Sequence, residues 1–224
     1  MQQRARVRII GHRGCATHYP ENTLAAIRGC APHVDTVEID VRRCASGEVV
    51  VFHDETVDRL TEGEGRVDEY RFEELPPVTV DGMDKPIPTL SEALDALPSG
   101  TGVNVELKHA GMAEAVATEL RERECDAILS SFAAAALEPF REEPLPTAYL
   151  FRDGFETGLD TAAALGCAFV HPQHAMLDAA AIEQAHDSGF AVNAWTVPDE
   201  TEVSRLREAG VDGVIVDSWQ VVST

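Results

Sequence analysis

Lysine is nearly missing from the 224-residue chain, which has Lys85 and Lys108 beside sixteen arginines, and cations as a whole are scarce. Lys plus Arg number 18 against 39 Asp plus Glu, a formal net charge of −21. That shortage excludes a nucleic-acid grip, which needs a basic stripe to displace counterions from phosphates, and an anionic membrane surface repels such a chain too. Long apolar runs are also absent: nothing approaches 18 consecutive apolar residues, and Met1 to Arg13 lacks the apolar centre of a signal peptide. The five cysteines, Cys15, Cys30, Cys44, Cys125 and Cys167, are an odd number without a C-x-x-C pair. Neither a disulfide framework nor a zinc site is expected, and a reducing compartment fits. A cytoplasmic protein is therefore expected. The acidity and the preference for Arg over Lys point to a cytoplasm of very high salt, since at ~1 M ionic strength a Debye length of ~3 Å screens the self-repulsion.

What is present is an ordinary globular composition, 44% hydrophobic and 25% charged. The length suits a single domain over residues 1–224. Nine short β-branched runs alternate with amphipathic segments: Val7–Gly11, Thr36–Val41, Val49–His53, Val103–Leu107, Ala127–Ser131, Ala148–Phe151, Ala168–His171, Ala191–Thr196 and Gly213–Asp217. Helical patterns cover Asn22–Cys30, Leu90–Leu97, Gly111–Arg123, Ala133–Phe140, Phe155–Leu165, Asp178–Asp187 and Glu200–Glu208. Only Arg42 to Glu48, with the turn pair Ser46-Gly47, separate the second run from the third. A parallel crossover needs about a dozen residues, so the third run must return as an antiparallel hairpin. Eight strands and seven helical links remain: an α/β fold, a (β/α)8 TIM barrel with a small hairpin and loop insertion after the second strand. The polar, Gly- and Pro-rich stretch between Asp54 and Pro88 reads as a loop over the barrel mouth.

Such barrels place their chemistry at the C-terminal strand ends. The first strand ends in Gly11-His12-Arg13-Gly14, followed by Glu21-Asn22-Thr23, where Asn22 or Thr23 suits a helix cap but Glu21 does not. In Val37-Glu38-Ile39-Asp40-Val41 the period of two sends Glu38 and Asp40 to one face, and Val105-Glu106-Leu107-Lys108 repeats the device. Adjacent inward carboxylates repel unless protons or a cation intervene, and oxygen-only ligation selects Mg²⁺, Ca²⁺ or Mn²⁺. The hairpin return brings His53, next to Asp54, to the same mouth. Three carboxylates, two histidines, Arg13 and Lys108 together suit a phosphodiester, with cations on the phosphoryl oxygens and two imidazoles as acid and base. His171 is expected as a packing or supporting residue, and Asp217 as structural. Trp195 either fills the barrel top or stacks on substrate.

The ordered set Gly11-His12-Arg13-Gly14, Glu21-Asn22-Thr23, Val37 to Val41, Phe52-His53-Asp54, Ile87-Pro88-Thr89-Leu90, Val105 to Lys108 and Trp195-Thr196-Val197 resembles the motifs of the glycerophosphodiester phosphodiesterase family. The resemblance implies a barrel related to the phosphatidylinositol-specific phospholipase C class. It implies one divalent cation, Mg²⁺ or Ca²⁺ with Mn²⁺ as a third option, on Glu38, Asp40 and Glu106. His12 and His53 would be the acid/base pair, Arg13 and Lys108 would hold the phosphate with Trp195 on the substrate, and Glu21, Asp54 and His171 would support them. The implied reaction releases sn-glycerol 3-phosphate and an alcohol from a small glycerophosphodiester, a hydrolase of lipid and glycerol metabolism. Its rivals are a lysophospholipase D acting on acyl-bearing substrates and a non-catalytic phosphometabolite-binding barrel.

Overall fold

The computed structural model describes residues 6–80, 82–123 and 125–222. Among these described residues eleven strands form: β1 Arg8–Gly11, β2 Thr36–Arg43, β3 Val49–Val51, β4 Val78–Val80, β5 Met83–Lys85, β6 Gly102–Leu107, β7 Ala127–Ser131, β8 Thr147–Phe151, β9 Phe169–Pro172, β10 Ala191–Ala194 and β11 Gly213–Val216. Seven helices accompany them: α1 Leu24–Cys30, α2 Leu90–Asp95, α3 Ala113–Arg121, α4 Ala134–Leu137, α5 Phe155–Leu165, α6 Ala179–Asp187 and α7 Glu200–Ala209. The caps are those the sequence supplies. Thr23, Asp178 and Asp199 accept backbone N–H bonds at the starts of α1, α6 and α7, Thr89 and Glu92 make a capping box on α2, and Gly166 and Gly210 end α5 and α7 in the left-handed region.

Eight parallel strands run in the order β1-β11-β10-β9-β8-β7-β6-β2, and β1 pairs β2 to close the ring. The expected ninth run, β3, lies outside the ring as an antiparallel return on β2, with Val41 opposite Val51. Outward side chains fill the layer between ring and helices: Val37, Ile39 and Val41 of β2 and Val103, Val105 and Leu107 of β6 are all buried in the main core. Each such side chain removed from water contributes ~1.5–3 kcal/mol.

The segment after β3, expected as a loop, has structure of its own. It contains the antiparallel hairpin β4–β5 and a core of its own, Val57, Val67, Val78 and Ile87 packed on Val50 and Phe52. It packs on the β2–β3 hairpin; its Arg59 reaches Glu21 and Asp54, and Glu55, Arg66, Val67 and Asp68 line a separate cavity with Lys108, but none of its described residues lines the central cavity. The cysteine expectation is also corrected. Cys15 and Cys30 form a disulfide, their Cα atoms 5.7 Å apart, while Cys44, Cys125 and Cys167 are free thiols. An odd count does not preclude one bridge, and a pair 15 residues apart joins here because the loop after β1 folds back on α1. Gly11 makes room for it, since a Cβ there would stand 2.3 Å from the Cys30 sulfur. Among the described residues no helix is long and apolar enough to cross a membrane.

Candidate active site

The register of β2 on β6 sets Glu38 beside Asn104 and Asp40 beside Glu106. In a parallel pair such neighbours share a face, so three carboxylates converge inside the barrel top, at 2%, 0% and 8% exposure for Glu38, Asp40 and Glu106. One oxygen of each lies within 4.8 Å of the others. Cations and amides compensate part of this charge. The Lys108 ammonium bridges Glu106 and Asp40, 3.2 Å from Asp40 Oδ1, and Arg13 Nε lies 3.3 Å from Asp40 Oδ2. Asn22 donates to Asp40 Oδ2 at 2.8 Å and accepts from the Asp40 backbone N–H, and the Arg13 N–H donates to Glu38 Oε2 at 2.7 Å. The other Glu38 oxygen is buried without a partner.

Glu38 and Asp40 consequently titrate far apart. Burial, then Asp40 and Glu106, push Glu38 up to about 8. Burial would raise Asp40 too, but Lys108 and Arg13 outweigh it and hold it at about 2, while burial and Asp40 raise Glu106. A buried, partnerless carboxylate oxygen beside two more carboxyls is the donor set a hard divalent cation takes, so the residues present fit such an ion.

Two histidines face this cluster from β1 and β3. His12 Nδ1 lies 2.6 Å from Asp217 Oδ1, and His53 Nδ1 lies 2.6 Å from Asp54 Oδ1, which leaves each Nε2 as the ring's open nitrogen. Their affinities for a proton diverge. Burial lowers His12, but the Asp217 hydrogen bond and the charge of Glu38 prevail and raise it. At His53 burial dominates and Lys108 reinforces it, so the net shift is downward despite Asp40 and Asp54. Behind them runs a relay of ion pairs. Asp54 accepts from Arg59, Arg59 donates to both Glu21 oxygens at 2.7 and 3.0 Å, and Glu21 accepts from Arg13 at 2.9 Å.

The loop carrying these groups is held in unusual backbone. Arg13, Cys15 and Asn22 are the non-glycine residues with positive φ, at 51°, 64° and 59°, among the described residues. Side chains tolerate that region poorly, so the surrounding contacts enforce it, and two of the three, Arg13 and Asn22, hold Asp40. Gly14, at φ 74°, is the position where a Cβ would also strike Ala26 at 2.7 Å.

His12, Arg13, His53, Glu106 and Lys108 line a cavity of about 490 Å³, whose far wall includes Phe132, Leu150, Arg152, Trp195 and Ile215. Trp195 thus reaches the mouth, its indole N–H donating to the His171 carbonyl at 2.7 Å. His171 does not. It is fully buried below, Nε2 accepting from Asn193 at 2.9 Å, and burial drives it down to about 3. Asp217, expected as structural, is the partner of His12; of the two cap candidates Thr23 caps α1, and Asn22 holds Asp40. Arg59, Phe132 and Arg152 gave no signal in sequence.

Residues 12–221 match the glycerophosphoryl diester phosphodiesterase family. A putative glycerophosphodiester phosphodiesterase of Bacillus subtilis is 31% identical over 93% of each chain, and a glycerophosphodiester phosphodiesterase of Caldanaerobacter subterraneus is 30% identical over 93% of each. Among solved structures, an Oleispira antarctica phosphodiesterase in complex with the product sn-glycerol-3-phosphate superposes with a TM-score of 0.88 at 27% identity, covering 96% of this chain and 94% of that one. The glycerophosphodiester phosphodiesterase of Thermotoga maritima gives 0.83 at 26% identity, covering 97% of each.

Proposed function

The chain belongs to the glycerophosphoryl diester phosphodiesterase family, a family of phosphoric diester hydrolases, and on that premise we propose that it hydrolyses glycerophosphodiesters to sn-glycerol 3-phosphate and an alcohol. The observation that carries this reading is the pair His12 and His53, each fixed through Nδ1 by its own carboxylate, around three buried carboxyls with an unpartnered oxygen. A binding-only barrel has no use for an acid and a base with opposed shifts.

Glu38, Asp40 and Glu106 would hold one divalent cation, Mg²⁺, Ca²⁺ or Mn²⁺, which when bound supplies positive charge to the phosphoryl oxygens. Arg13 and Lys108 add fixed positive charge beside it, and Trp195 bounds the substrate. His53, its proton affinity lowered, is the ring better suited to take the proton of the attacking hydroxyl, either that of water or that of the substrate's own glycerol, with water then opening the cyclic phosphate so formed. His12, its affinity raised, is the ring better suited to hold a proton and give it to the alcohol oxygen as the P–O bond breaks. The test is release of glycerol 3-phosphate from glycerophosphocholine and glycerophosphoethanolamine in concentrated KCl with Mg²⁺, Ca²⁺, Mn²⁺ or EDTA, using wild type and His12→Ala. Metal-dependent release that disappears in the variant is expected. No release with any metal, from folded protein, rejects the reading.

A further inference from the structure

The two halves of the mouth differ in kind. Glu38, Asp40, Glu106, Arg13, Lys108 and both histidines come from β1, β2, β3 and β6, neighbours on one side of the ring, whereas Phe132, Leu150, Arg152, Trp195 and Ile215 end β7, β8, β10 and β11 on the other. A diester with its phosphorus among the charged groups must lay one ester arm across that second half.

This second wall offers carbon, few open hydrogen bonds and one cation. The Ser131 hydroxyl already donates to the Leu107 carbonyl at 2.6 Å and the Trp195 indole to His171, so neither is free to bind the two hydroxyls of glycerol. Arg152 is different. Its guanidinium carbon sits 5.1 Å from the centroid of the Phe132 ring, which meets Trp195 edge-on, and among the described residues no carboxylate pairs with it. In a chain of net charge −21, where Arg13, Arg59, Arg66, Arg123 and Arg205 are each tied to carboxylates, an untied guanidinium in the cavity wall has its N–H groups available to a ligand anion. It also covers the aromatic face that would otherwise attract a quaternary ammonium.

Resting on the phosphodiesterase reading, we propose that this wall receives the variable alcohol arm and that Arg152 selects for it an alcohol bearing an anionic group. Neutral polyols rank next and quaternary ammonium alcohols last. The experiment compares kcat/KM on glycerophosphoinositol 4-phosphate, glycerophosphoinositol and glycerophosphocholine, at one fixed salt concentration, for wild type, Arg152→Ala and Arg152→Lys. The wild type should rank them in that order. Arg152→Ala should shrink the ratio of the first to the third by ~10-fold or more, mostly through KM, as loss of a hydrogen bond to a charged group implies, with Arg152→Lys between. An unchanged ratio in Arg152→Ala, or a wild type that favours the choline diester, overturns the assignment while leaving the phosphodiesterase reading intact. Failure to cleave any of the three defeats that reading itself.

Discussion

Asp217 shows how a single side chain sets a neighbour's chemistry. Its carboxylate orients the His12 ring and, against burial, raises its proton affinity, so Asp217→Asn should lower turnover by at least ~10²-fold, the lower end of what a general acid contributes, and move the alkaline limb of the pH profile to lower pH. A pH–rate profile with that limb unmoved would separate Asp217 from the chemistry. His171 titrates on stability instead. Its pKa is about 3 when folded and ~6.5 when unfolded, so between these values the unfolded chain binds more protons and stability falls as pH falls through that window. Urea unfolding at pH 7 and pH 5 should show wild type losing ~1–2 kcal/mol more than His171→Gln. Equal losses would mean that His171 takes up a proton in the folded state.

At the scale of elements, the insert between β3 and α2 has its own apolar cluster and joins the barrel at one side, so it should open as a unit of low local stability. Hydrogen exchange should be faster across residues 56–86 than in β6 to β8. Ile87→Ala should speed it further, at a local cost of ~2–4 kcal/mol, while protection in the ring persists. Uniform loss of protection would show that insert and ring unfold together. The ring was legible in sequence because its signals are local. The alternation in β2 and β6 shows which residues point inward, the short Ser46-Gly47 link forces β3 out of the ring, and α5 spans the predicted Phe155–Leu165. Contacts made across the ring carry no such period. Asp217 on His12, Arg59 between Asp54 and Glu21, and the Cys15–Cys30 bridge each depend on the loops' paths in space, and β4–β5 is too short to leave a pattern of its own.

For the molecule as a whole, the charge of −21 is a liability in dilute buffer, where few ions screen it. The proposed adaptation to high salt predicts that circular dichroism and activity decline together on dialysis out of concentrated KCl and return when salt is restored; full retention in dilute buffer would refute it. Ring closure has a further consequence, in time rather than in space. His12 meets a partner 205 residues further along the chain, and at ~5–20 residues per second roughly 10–40 s of translation separate the two. Through that interval β1 lacks its neighbour β11 and His12 lacks the carboxylate that primes it. On the phosphodiesterase reading, a nascent chain should therefore be inactive until β11 has emerged and shut the ring.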